Sequence, residues 1–156
     1  MNEPVKNYSV QMSSIGLTSS DGINSKIYPL MEISIHGTPS LADIIHLMNE
    51  IKVATRGIVG DYISATDLSN LSINKFLSKI ILKGMESTYK SLLSVGKQSV
   101  MSFVLLGEMQ EYASFLGDTL KNVNEQKIDT KKDYKYRYYF VKSKSEIKAI
   151  AEQILM

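Results

Sequence analysis

The stretch Asp61-Tyr62-Ile63-Ser64-Ala65-Thr66-Asp67-Leu68-Ser69-Asn70-Leu71-Ser72, followed at once by the amphipathic residues 73–95, decides the fold. It reads as a short strand ending in Asp67-Leu68-Ser69, then a polar turn, then a helix. In open α/β sheets the crevice between a strand's carboxyl end and the next helix is where ligands and partners dock. A functional surface is therefore expected there, although no motif in the stretch carries a reaction on its own.

The helix after the turn is expected to bury Ile73, Phe76, Leu77, Ile80, Ile81, Met85, Tyr89 and Leu92, with Ser72 as its cap and Gly96 as its stop. Before the stretch, Leu41, Ile44, Ile45, Met48, Ile51 and Thr55 recur at steps of three and four, which predicts another helix. Thr38 or Ser40 suits its start and Gly57 its end. Further upstream, Tyr8, Val10 and Met12 alternate with polar neighbours, as do Met31, Ile33 and Ile35. The Ser- and Gly-rich residues 13–25 between them contain the turn signal Asp21-Gly22, so a hairpin is expected. Pro29 lacks a donor and belongs at the start of the second strand or on an exposed edge.

Downstream, residues 100–106 form an almost unbroken apolar run, the pattern of a strand covered on both faces. Residues 108–123 read as a helix and 124–133 as a polar, basic loop. In residues 134–141, Tyr134, Tyr136, Tyr138 and Phe140 alternate with Lys135, Arg137 and Tyr139, which suggests a strand with one wet face near an edge. Ser143-Lys144-Ser145-Glu146 is a capping box for a last helix that turns Ile147, Ile150, Ala151, Ile154 and Leu155 inward. Strands alternating with helices imply a mostly parallel sheet, to which the hairpin adds an antiparallel member. The expected fold is α/β: a single domain over residues 1–156, with a mixed five-stranded sheet and about four helices.

With 156 residues, 44% apolar and 22% charged, the chain has the composition of a globular domain able to bury a core. Its formal charge of +2 gives no global field for nucleic acid. Cysteine is absent, which excludes disulfides, thiol nucleophiles and thiolate metal sites. The first residues, Met1-Asn2-Glu3-Pro4-Val5-Lys6, lack the basic-then-apolar pattern of a secretory signal, and no apolar run reaches the roughly 18 residues of a membrane helix. A cytoplasmic protein is expected.

The hairpin, the helix, the strand ending in Asp67-Leu68-Ser69 and the amphipathic helix together resemble the STAS domain of bacterial anti-sigma-factor antagonists. Val104-Leu105-Leu106-Gly107 before a helix with Tyr112 and Leu116, and residues 139–146 before a terminal helix, look more like the SpoIIAA-like (STAS/SEC14) group. The resemblance covers nearly the whole chain in order of elements. It implies a regulatory module that engages a protein partner. In the antagonists a phosphorylatable serine lies in an Asp-Ser-Ser-Gly tetrad at the start of the helix after the strand. Residues 72–78 here hold no such tetrad, so the phosphoswitch of the family is expected to be lost. Its position survives in Ser69 and Ser72, where a phosphate would meet helix-terminal amides. For Ser72 the plainer reading is capping.

Candidate chemistry elsewhere is sparse. Asp67 ends a strand at the crevice, but a carboxylate there also fixes a turn by accepting nearby amides, and that structural role is preferred. His36 and His46 form no ligand pair with each other or with a His-Glu motif, so no metal site is expected. No Gly-x-Ser-x-Gly elbow nominates a nucleophile. Gly96-Lys97-Gln98-Ser99 precedes a strand rather than following one, and reads better as a helix stop than as a phosphate loop. Lys75, Lys79 and Lys83 repeat every four residues on the solvent side of their helix. Lys131, Lys132, Lys135 and Arg137 cluster with tyrosines near the last strand. Solvated faces explain both; anionic lipid is the functional alternative, and nucleic acid the weaker one.

The expected function is non-catalytic: a regulatory or protein-interaction module without cofactor, using Asp67, Ser69, Ser72, Lys75, Lys79 and Lys83. The alternative is a domain binding lipid or a small apolar ligand at a membrane surface through Lys131, Lys132, Lys135 and Arg137. Apolar side chains outside the main stripes, among them Leu47, Val53 and Leu82, leave a homodimer open.

Overall fold

Alternation of side chains carries the first two strands further than the serines of residues 13–25 suggest. In the computed structural model, which describes residues 6–71, 80, 83–84, 87–88, 91–92, 94–97, 99–105 and 138–156, β1 (Tyr8–Thr18) and β2 (Ser25–Ile35) pair without a break, from Tyr8 opposite Ile35 to Thr18 opposite Ser25. The loop expected over 13–25 is thus only a tight turn at 19–24. There the Asp21 carboxylate accepts the Ser19 hydroxyl at 2.5 Å and the Ile23 amide at 3.0 Å, and Gly22 takes φ 75°. Serine is tolerated in β1 because Ser13 and Ser14 face water, while Leu17 beyond them is fully buried and anchors the register. Pro29 lies inside β2 rather than at its start. β2 meets its second neighbour only from Leu30 onward, so Pro29 sits where the strand is still an edge.

α1 (Leu41–Arg56) starts at Ser40, not Thr38. The Ser40 hydroxyl accepts the Asp43 amide at 3.1 Å, and the Asp43 carboxylate accepts the Ser40 amide at 2.9 Å, a reciprocal cap. Its buried stripe is Ile44, Leu47, Ile51 and Thr55. Leu47 therefore belongs to the core, while Leu41 and Ile45, expected inward, are exposed along with Val53. The stripe is turned because α1 packs with the sheet on one side and with the next helix on another. Residues 80, 83–84, 87–88, 91–92 and 94 are helical, and a Cβ on Gly84 would come within 3.2 Å of Ile44 and Met48. Gly96, at φ 70°, ends that helix, and Lys97 donates its amide to the Leu92 carbonyl at 2.8 Å, a Schellman closure.

β3 (Ile63–Asp67), β4 (Met101–Leu105) and β5 (Tyr138–Val141) join β2 in parallel, so the five-stranded sheet runs β1-β2-β3-β4-β5 with β1 alone antiparallel. β4 lies inside the sheet, between β3 and β5, and its Met101, Phe103 and Val104 are buried. The C-terminal helix (Lys144–Leu155) is entered through Glu146, whose carboxylate accepts the amides of Lys142 and Ser143. The expected helix 108–123, loop 124–133, residues 134–137 and the first turns of the helix after Ser72 lie outside the described residues.

Period-two alternation sorts the strand residues onto two cores. Tyr8, Met31, Ile33, Ile35, Tyr62 and Val104 pack with Ile44, Leu47 and Ile51 of α1 and with Leu92. Leu17, Tyr28, Leu30, Ile63, Ala65, Met101, Phe103, Leu105 and Val141 pack with Ile147 and Ala151 of the C-terminal helix. Both faces of the sheet are thus covered. The face of β5 expected to be wet is not so at Tyr139, whose ring lies 5.5 Å from that of Phe103. On the α1 side Ser64, Ser99 and Ser102 close a triangle of hydroxyls at 2.6–3.1 Å, so each buried donor finds an acceptor. No helix among the described residues is long and apolar enough to cross a membrane.

Candidate functional site

The carboxyl ends of β2, β3 and β4 come together around Ser34, Asp67 and Leu105. The chain leaves β3 through a turn that Asp67 holds. Its Oδ1 accepts the Ser69 amide at 2.9 Å and the Ser69 hydroxyl at 2.5 Å, while the Leu68 amide donates to the Leu105 carbonyl at 2.8 Å. Leu68 is buried beneath. This is the structural role preferred for Asp67: a short polar side chain pinning the amide two residues on. The Gly37 amide reaches the Asn70 carbonyl at 3.0 Å, tying the turn to the end of β2.

Beside this turn, on the face covered by the C-terminal helix, lies an open hollow of about 140 Å³. Its walls include Ser9, Gln11, Glu32, Ser34, Asp67 and Lys144. Strand alternation sends Glu32 and Ser34 to this face, opposite Met31 and Ile33. Lys144 enters from the first turn of the C-terminal helix. Its Nζ lies 3.3 Å from Glu32 Oε1, and the Ser13 hydroxyl donates to Glu32 Oε2 at 3.3 Å. Two carboxylates against one ammonium leave the hollow short of donors. Among the described residues no three His, Cys, Asp or Glu side chains form a metal cage.

The expected site residues fall into separate places. Asp67 and Ser69 are half-buried at the strand end. Lys83 is exposed on a helix whose Ile80 and Leu92 belong to the core of the opposite face, and it does not line the hollow. Ser72, Lys75, Lys79, Lys131, Lys132, Lys135 and Arg137 lie outside the described residues. His46 is exposed on α1, and His36 donates its amide to the Asn7 carbonyl at 2.8 Å. Gly96-Lys97-Gln98-Ser99 is divided among structural tasks: Lys97 Nζ donates to the Ile58 carbonyl at 2.7 Å and Ser99 completes the hydroxyl triangle. Glu32, Ser34, Gln11 and Lys144 are the site residues that sequence reasoning missed. As the polar phase of strands and the first turn of a helix they carry no local signal; only the sheet order brings them together.

No protein-family model matches the sequence, and no curated protein matches it. Among solved structures the chain is similar to an uncharacterized protein of the DUF3478 family with a SpoIIAA-like fold from Shewanella loihica PV-4, at 16% identity, with 94% of each chain covered and a TM-score of 0.49.

Proposed function

We propose that this chain is a non-catalytic interaction module, and that the hollow at the ends of β2, β3 and β4 receives a donor-bearing side chain of a protein partner. The observation that carries this reading is the size and lining of the hollow. Pockets that enclose metabolites run to about 300–1,000 Å³ and are mostly apolar. This one is about 140 Å³ and open, and beside Ile33, Ala65 and Leu105 it presents the polar groups of Glu32, Asp67, Ser34 and Lys144. A lysine, arginine or amide side chain fits that space and meets the acceptors it offers.

Regulation at the neighbouring turn follows from the same geometry. The Ser69 hydroxyl already donates to Asp67. A phosphate on Ser69 would set a dianion against that carboxylate, breaking both bonds that hold the turn.

Affinity capture from cells of the source organism tests the proposal. Glu32→Lys reverses the charge of the hollow and should cut recovery of a specific partner about tenfold, equivalent to about 1.4 kcal/mol. Lys52→Glu on α1 should leave it unchanged. A partner retained at full yield by Glu32→Lys counts against the hollow as the contact. Flotation with anionic liposomes that weakens in salt would favour the lipid-binding alternative instead.

A further inference from the structure

We propose that two copies of this chain pair antiparallel along β1, so that the sheet continues across a two-fold axis at Met12.

β1 is the unpartnered edge of the described sheet, and it is undefended. Edge strands usually carry lysine, proline or bulges that discourage pairing. The eleven residues Tyr8–Thr18 contain no charge and no proline, and they pair with β2 without a bulge. The outward-pointing groups can be identified. Ser14 lies opposite Pro29, which has no amide hydrogen, so this is a non-hydrogen-bonded pair. Alternation then turns the N–H and C=O groups of Tyr8, Val10, Met12, Ser14, Gly16 and Thr18 away from β2. The Thr18 amide agrees, since it donates to the Glu152 carboxylate at 2.6 Å rather than into the hairpin.

That contact also sets the register. Thr18 is already satisfied by its own chain, which leaves a ladder from Tyr8 to Gly16, unpartnered among the described residues, whose centre is Met12. A two-fold there sets Met12 against the partner's Met12, Val10 against Ser14 and Tyr8 against Gly16. Met12, 46% exposed in the single chain, is covered. Gly16 has nothing within 4 Å of where a Cβ would stand, so the edge opposite the partner's Tyr8 is open.

Charge is compatible with this direction. Lys6, just before the strand, is held 3.8 Å from Glu50 of its own α1. Antiparallel pairing keeps it at the far end of the strand from the partner's Lys6, whereas parallel pairing in register would set the two lysines near one another. The second copy also contributes to the hollow. On that face Ser9 and Gln11 line it, and the same register brings the partner's Ile15 and Ser13 directly beside them. The association itself does not depend on what the hollow binds.

Sedimentation equilibrium over a concentration series reads the outcome without any ligand. The wild-type chain should approach twice 17.5 kDa. Ser14→Pro removes an outward amide while sparing the hairpin ladder, and should return the mass to 17.5 kDa with an unchanged circular dichroism spectrum. If that variant fails to fold, Met12→Lys, which sets two ammonium groups face to face, should give the same result. The chain has no cysteine, so Met12→Cys offers a single thiol. Paired Cα atoms about 5.5 Å apart fall within disulfide range, so oxidation should link it to its twin, whereas Ile15→Cys, opposite Ser9, should stay unlinked. A wild-type chain that remains at 17.5 kDa, or a dimer that survives both edge substitutions, overturns the proposal. A dimer that links through Ile15→Cys but not Met12→Cys overturns the register.

Discussion

Asp67 accepts two bonds from Ser69 through a single oxygen, and the turn at the end of β3 depends on that arrangement. Asp67→Ala removes the acceptor and leaves the Ser69 amide to water, so urea unfolding should show a loss of about 1–2 kcal/mol. Asp67→Asn keeps an acceptor oxygen and should lose less than half as much. Equal losses would show that the charge, rather than the turn, is what matters. Tyr62 shows how a residue read from sequence only as strand can be tied by tertiary contacts. Its ring is buried and its hydroxyl donates to the Lys97 carbonyl at 2.6 Å, which fastens the residue before β3 to the loop before β4. Burial pushes the phenol above its ordinary range, so it stays protonated and remains a donor through neutral and moderately alkaline pH.

Among the elements, α1 carries a pH dependence at its N-terminal cap. Amide donation from Ser40, then the Asn7 side chain, holds the Asp43 carboxyl below its ordinary value of 3.8. A group with a depressed folded value contributes its stabilisation in full above the unfolded value and loses it as pH falls through the folded one. Stability should therefore be flat from neutral pH down to about that ordinary value and then decline. Asp43→Asn should flatten that decline while lowering stability at neutral pH, as urea titrations at a series of pH values would show. An acid limb unchanged by the substitution would place the sensitivity elsewhere. The start of α1 was legible in part: Ser40 and Asp43 stand three apart before an apolar run, yet Thr38 was an equal candidate from sequence. The inward stripe was misplaced because helical spacing alone gives a face, not the angle at which a second helix with Gly84 presses against it.

At the scale of the whole molecule, one sheet divides two cores, and β4 contributes to both. Phe103, fully buried under the C-terminal helix, and Val104 on the α1 side are adjacent in sequence. Phe103→Ala should cost about 3–5 kcal/mol, a large part of the 5–15 kcal/mol typical of a domain. Because the backbone of β4 is shared, thermal unfolding should stay a single transition, seen equally by Tyr fluorescence and by far-ultraviolet circular dichroism. Two separated transitions would mean that the cores melt independently.

Local chemistry was sufficient to reveal the strands and helices found among the described residues, the turn at Asp21-Gly22, the helix stop at Gly96 and the role of Asp67 in its turn, because each depends on residues within one turn or one strand. The sequence by itself also determined which side chains of each strand share a face, since that follows from a period of two. The tertiary structure alone decided that Glu32, Asp67 and Lys144 meet around one hollow, and that β1 is an edge of the described sheet. Those facts arise from the order and register of strands distant in sequence, and polar residues on a strand carry no mark of which neighbour the sheet will give them.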